Sequence, residues 1–298
     1  LSSGVNFQDG TGTDLPARRN HYRAKSFFPL FSWFPLWASD SGMSCSRLTF
    51  AIDSGYCDFL QLLFLLGAVP YVRRPQNAIT VWKDHMVSQG FGYKLGVDLP
   101  GEKRGLIPNA QFYDKAYRGH WNGLTVISIS IGQGEILSTP LQIANLGATI
   151  ANRGHFTTPH IVKEIQDAQL DSIYRHPRNT TIERRHYESV VEGMRAAATG
   201  GTCRMLSVMV PELEACGKTG TAQNRGHDHS VFMGFAPMNQ PKIAIAVYVE
   251  NGGWGATYGV PIGALMMEQY MKGKLSPENE LRAEEISNRI ILYGNEER

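Results

Sequence analysis

The clearest pattern in the chain is a strict alternation near its C-terminal end. Over residues 242–250, Ile243, Ile245, Val247 and Val249 fall on one face of a strand, with Ala244, Ala246 and Tyr248 on the other. Both faces are apolar, which predicts a strand sitting centrally in a sheet covered on both sides. Two more strand-like runs precede it, at about 216–223 and 230–236, and the connections between the three are short and polar. That spacing predicts an antiparallel meander.

Helical periodicity frames these strands. Thr139-Pro140-Leu141-Gln142 supplies a hydroxyl N-cap followed by proline at the first helical position. The helix it opens runs through Ile143, Ala144, Leu146, Ala148 and Ile150, apolar nearly all round, and is expected to stop at Gly154. A more amphipathic helix is predicted over about 184–198, closed by Gly200-Gly201, and a last one over about 262–272. Beyond Ser276 the chain is charged and predicts a loosely held helical tail.

Residues 1–80 follow neither period. They hold no glutamate and one lysine, Lys25, and carry the run Phe27-Phe28-Pro29-Leu30-Phe31-Ser32-Trp33-Phe34-Pro35-Leu36-Trp37. Pro29 and Pro35 would break a helix there, and so many aromatics are foreign to a loop. The expected organisation is an aberrant, non-native or disordered segment over 1–80, a domain over 81–275 and the tail over 276–298.

Composition narrows the function. The 298 residues are 42% hydrophobic and 19% charged, with a formal net charge of +2. A chain of that length can bury a sizeable core. No basic stripe is present, so nothing predicts a nucleic-acid partner. Cys45, Cys57, Cys203 and Cys216 show no C-x-x-C spacing, and no metal or cofactor is expected. Cys203 and Cys216 read as free thiols rather than a disulfide. His227-Asp228-His229 reads as a hairpin turn rather than a ligand set, and Asp98 and Glu102 as solvated loop carboxylates. The longest apolar run, 59–69, is too short to span a bilayer. The chain opens without methionine or a signal segment and reads as a fragment.

The chemistry-bearing signal is Lys218-Thr219-Gly220-Thr221-Ala222, on the first strand of the meander, with Ser230-Val231-Phe232-Met233-Gly234-Phe235-Ala236-Pro237 after it. Upstream lie Phe91-Gly92-Tyr93-Lys94-Leu95-Gly96-Val97-Asp98-Leu99-Pro100, Gly132-Gln133-Gly134, the Thr139-Pro140-Leu141-Gln142 cap and Ala151-Asn152-Arg153-Gly154. Together these resemble, in order and spacing, the class B, elongation-type penicillin-binding protein 2 family. The resemblance covers residues 82 to about 272. It implies an α+β transpeptidase fold of the penicillin-binding protein/β-lactamase type, an antiparallel sheet with helices on both faces. It also implies serine-type peptidoglycan D,D-transpeptidation at the periplasmic face of the inner membrane. The implied partners are stem peptides, β-lactams and a membrane glycosyltransferase. Lys218, Thr219 and Gly220 would be catalytic, with Thr219, Thr221 and Ala222 binding substrate. The G-Q-G and T-P-L-Q segments argue against a β-lactamase or D,D-carboxypeptidase of the same fold.

That family also uses a nucleophilic serine in S-x-x-K and a second motif S-x-N. No lysine of this chain has serine three positions before it, and no asparagine has serine two before it. As written, the chain therefore also fits a catalytically dead binding module. Translation one base out of frame over residues 1–80 would account for the loss. With permitted synonymous codons, moving the frame forward one base turns residues 3–9 into P-G-S-I-F-K, 43–47 into C-H-A-H and 59–65 into S-C-N-S-Y-F. The first and last would restore both motifs in family order. Sequencing the DNA for residues 1–85 is expected to reveal S-x-x-K and S-x-N in the shifted frame; a shifted frame without them removes the idea.

Overall fold

A computed structural model of the chain describes residues 75–130, 132–223 and 226–291. In order these form α1 (Pro75–Ser88), α2 (Ala110–Ala116), α3 (Gly123–Ser130), α4 (Pro140–Ala151), β1 (His155–Phe156), α5 (Ser172–Arg175) and β2 (Arg178–Asn179). Then come α6 (Arg184–Thr199), α7 (Met205–Met209), β3 (Cys216–Ala222), β4 (His229–Ala236), β5 (Ile243–Val249), α8 (Gly259–Lys272) and α9 (Pro277–Ser287). The 59–69 apolar run, the aromatic run and the segments that a shifted frame would rewrite all lie outside the described residues. The described chain nevertheless begins ahead of residue 81. Ala78, Ile79, Trp82 and Met86 of α1 are all buried, and they belong to the same core cluster as Ile129, Ile150 and Val191.

β3, β4 and β5 form the expected antiparallel meander, with Lys218 opposite Met233, Thr219 opposite Phe232, and Phe232 opposite Val247. The order is β3-β4-β5, so β4 is central and β5, expected to be central, is an edge strand among the described residues. The reason is that alternation reports on faces and not on edges. One face of β5 meets α4, where Gly147 lies against Ala244 and Met233. The other supplies Ile245 and Val247 to a cluster with Val260, Ala264 and Met267 of α8. Covering both faces makes both apolar, whatever happens at the hydrogen-bonding edge.

The start of α4 is specified as its sequence predicts. Thr139 Oγ1 accepts from the Gln142 amide (3.2 Å) and Gln142 Oε1 accepts from the Thr139 amide (3.0 Å), a reciprocal capping box. The same Gln142 side chain donates through Nε2 to the carbonyls of Gly90, Tyr93 and Arg104. Its cap therefore also ties down the 90–104 loop. The helix ends at Ala151, and the chain turns through Arg153 (φ 58°) and Gly154 (φ 108°). A Cβ at Gly154 would lie 2.9 Å from the Tyr187 ring, so both conformation and space select glycine.

The C-terminal segment is held more firmly than its charge suggests. Asn279 in the first turn of α9 is buried, and its Nδ2 donates to Met209 O (3.0 Å) and Glu268 Oε2 (2.6 Å). A short polar side chain, rather than an apolar stripe, anchors this helix.

The centre of the second face is Phe232. A Cβ at Gly217 would stand 2.6 Å from its ring and one at Gly259 would stand 2.8 Å from its Cβ, while Gly234 and Gly263 press on the same ring. Four glycines from β3, β4 and α8 thus leave the volume that one phenylalanine fills. Phe232→Ala is expected to cost about 3–5 kcal/mol, because the backbones around the void cannot collapse into it. Urea unfolding measures this, and a loss below about 1 kcal/mol would contradict the packing argument.

Candidate active-site strand

β3 is an edge strand: β4 flanks it on one side, and among the described residues no strand flanks the other. Its start is pinned by α6, whose Arg195 Nη1 donates to Ala215 O (2.9 Å). The pleat then separates its functional side chains. Cys216, Lys218 and Gly220 oppose Phe235, Met233 and Val231, on the face toward α4 and α6. Thr219 and Thr221 oppose Phe232 and Ser230, on the face toward α7 and α8. Thr219 and Thr221 are thus two residues apart on one face, a separation of about 7 Å. Ala222 ends the strand opposite His229.

Lys218 is the unusual group. It is only 6% exposed, and its Nζ donates to Thr219 O at 2.8 Å. An ammonium carries three donors, and among the described residues no carboxylate lies within ion-pair distance of it. Lysine is rarely buried without a paired anion. Among the described residues the one hydrogen-bond acceptor of Lys218 is the Thr219 carbonyl.

Thr219 is held from outside the motif. Its Oγ1 lies 2.9 Å from Thr202 Oγ1, and the buried Cys203 follows Thr202 in the same turn. Cys203 is fully buried, and burial pushes its thiol up to about 12; burial does the same to Cys216. Both are free thiols. Thr202 escaped the sequence reading because its partner is 17 residues away, beyond any local pattern.

The connection from β5 to α8 straps back across the hairpin. Asn251 N donates to His229 Nδ1 (3.0 Å) and Gly253 N to Asp228 O (2.8 Å). Ser230 Oγ donates to Trp254 O (2.9 Å) and accepts from Gly259 N (3.1 Å). A Cβ at Gly255 would sit 2.7 Å from Gly220 O and 2.9 Å from Thr219 Cβ, so the strap lies directly against the motif. His229 is therefore a turn acceptor. Among the described residues, no cluster of histidine, cysteine and carboxylate side chains could hold a metal ion.

Asp98 and Glu102 lie on loops as expected, Asp98 at the surface, and each also fastens a segment through backbone amides. Asp98 accepts the amides of Val162 (2.8 Å) and Ile161 (2.9 Å), which hold its carboxyl below the ordinary range. Glu102 accepts from Leu95, Gly96 and Val97. Each fastens one loop through backbone donors. Glu135, just after Gly132-Gln133-Gly134, does likewise for tyrosines: it accepts from Tyr113 OH (2.8 Å) and Tyr117 OH. That bond, with burial second, pushes the Tyr117 hydroxyl up to about 12.

Comparison with known proteins fits this architecture. The family model of the penicillin binding protein transpeptidase domain matches residues 76–272. Peptidoglycan D,D-transpeptidase MrdA of Acinetobacter baumannii is 34% identical over 233 residues, covering 70% of this chain and 34% of its own length. MrdA of Haemophilus influenzae is 30% identical over 207 residues, or 62% of this chain and 32% of the relative. The chain thus spans about a third of the curated relatives it matches. Among solved structures, Pseudomonas aeruginosa PBP2 in complex with WCK 5153 superposes with a TM-score of 0.60 at 33% identity, covering 70% of this chain and 49% of that one. PBP2 of Helicobacter pylori, solved with MreC, gives 0.59 at 25% identity, covering 76% and 40%. The fold is the α+β penicillin-binding transpeptidase fold, and the chain belongs to the penicillin binding protein transpeptidase domain family.

Proposed function

We propose that β3 is the substrate strand of a peptidoglycan D,D-transpeptidase, and that the chain as written binds at this strand without forming an acyl-enzyme. The observation that carries the reading is a free-edge strand whose buried Lys218 ammonium has a single backbone acceptor among the described residues. A stem peptide ending in D-Ala-D-Ala, or a β-lactam imitating it, would add to that edge as a further strand. Its carboxylate would meet the Thr219 and Thr221 hydroxyls, and the Lys218 charge would favour it. In the parent reaction an active serine attacks the penultimate D-Ala carbonyl and releases D-Ala. The acyl group then passes to an amine of a second strand. The Thr221 amide would serve as half of the oxyanion hole.

Gly220 supports strand addition by contrast with its neighbours. Gly217 has no room for a side chain, whereas among the described residues a Cβ at Gly220 would meet only Val231, at 3.4 Å. The described interior therefore leaves space at 220, which supports close approach of a ligand backbone as the reason for glycine there. The missing S-x-x-K and S-x-N favour a dead module for the chain as written, and frame restoration ahead of residue 75 would convert it to a working enzyme. Such an enzyme would act at the periplasmic face of the inner membrane, with a membrane glycosyltransferase as partner. The solved complex of H. pylori PBP2 with MreC is compatible with work inside a larger assembly. Among the described residues no helix is long and apolar enough to cross a membrane.

Labelled penicillin tests the reading. The chain as written is expected to give no covalent adduct, while a version re-encoded in the shifted frame ahead of residue 75, which leaves the core residues Ala78 and Ile79 unchanged, is expected to acylate. An adduct on the unaltered chain would mean that another serine is the nucleophile. On the strand itself, Gly217→Ala should lower stability by about 1–3 kcal/mol through overpacking. Gly220→Ala should leave stability within about 0.5 kcal/mol yet weaken peptide binding several-fold. Equal stability losses at both positions would remove the external role of Gly220.

A further inference from the structure

We infer that Thr202 is a positioning residue for the substrate carboxylate, acting through the hydroxyl of Thr219. The inference rests on the reading of β3 as the substrate strand.

The turn that carries Thr202 is rigidly placed. At the end of α6, the Ala197 carbonyl accepts from both Gly201 N (3.1 Å) and Cys203 N (3.0 Å), and Arg204 N donates to Gly201 O (3.1 Å). Cys203 is fully buried in the core cluster that also contains Phe232 and Leu206. The turn therefore cannot shift without disturbing the packing beneath β3. From this base it meets Thr219 at the side chain, with Thr202 Oγ1 2.9 Å from Thr219 Oγ1. Gly255 closes in on the same residue at its Cβ. Threonine has few χ1 wells, and a partner at its oxygen selects one of them.

Proton direction follows from the chemistry. Each hydroxyl has one proton and can also accept. A carboxylate at Thr219 can only accept, so Thr219 must spend its proton on it. Thr202 then becomes the donor to Thr219 Oγ1, giving the chain Thr202 to Thr219 to carboxylate, in which each bond strengthens the next. Without the Thr202 hydroxyl, Thr219 loses both its rotamer lock and its donor. Thr221, on the same face, has no equivalent partner in the turn and supplies the adaptable second contact.

The experiment uses the full chain and two variants, Thr202→Val, which keeps the volume and removes the hydroxyl, and Thr202→Ser, which keeps the hydroxyl. Each is titrated by NMR with a diacetyl-Lys-D-Ala-D-Ala peptide and with the same peptide ending in D-alaninol, which has no carboxylate. The Thr219 χ1 population is read from three-bond couplings in the free proteins. We expect Thr202→Val to average the Thr219 rotamer and to weaken the acid peptide about five- to tenfold, the scale of one neutral hydrogen bond between hydroxyls. The alaninol peptide should change less than twofold, and Thr202→Ser should behave as the unaltered chain on both. An equal loss for both peptides would mean that Thr202 only supports the fold, and no loss for either would mean that its hydroxyl is idle; each overturns the inference. Failure of the unaltered chain to distinguish acid from alaninol overturns the substrate-strand reading itself, and Thr202's role with it.

Discussion

The position of the motif strand depends on one aromatic ring packed where glycines leave room for it. Phe232 is a fully buried ring at the point where β3, β4 and α8 converge, and Gly217, Gly234, Gly259 and Gly263 each press backbone against it. Dispersion contacts of this kind are individually small and sum only when the surfaces fit closely. Because Gly217 immediately precedes Lys218, the fit sets the height of the motif over the core to within the tolerance of a packed interior. Thr219, paired directly with Phe232, inherits that placement.

Around this centre, polar side chains work mainly by fastening loops to regular elements. Gln142 caps α4 with one end and holds three loop carbonyls with the other. Glu102, Asp98 and Glu135 each gather two or more donors from a neighbouring segment. Such groups make hydrogen bonds that would be costly to leave unsatisfied once buried. Against that background Lys218 stands apart, since among the described residues its Nζ has one backbone acceptor and no carboxylate partner.

Local order was readable from residues alone wherever the physics is local. The capping box at Thr139 and Gln142, the alternation of β5 and the glycine stops after α4 and α6 all act within a few residues, and each appears where the pattern predicts. The motif strand belongs to the same class, since Lys218 to Ala222 are contiguous. What escaped notice depends on contacts between distant segments. The edge position of β5 is a matter of hydrogen-bond partners, which side-chain polarity does not encode. The anchoring of α9 by Asn279 and the grip of Thr202 on Thr219 are single polar contacts with no periodicity. The amide bonds of Glu102 and Asp98 escaped because a carboxylate accepting backbone amides has the same sequence signature as one facing water.

The two buried thiols have a practical consequence. Cys203 packs against β3 from the turn before α7 and Cys216 begins the strand opposite Phe235, and burial suppresses the thiolate of both. Neither can react with a solution reagent until the sheet parts from its helices. Their rate of alkylation, resolved by peptide mapping, is therefore a clock for local opening of the strand, native to the chain and free of any added label. It would register breathing of the motif that leaves the rest of the fold intact.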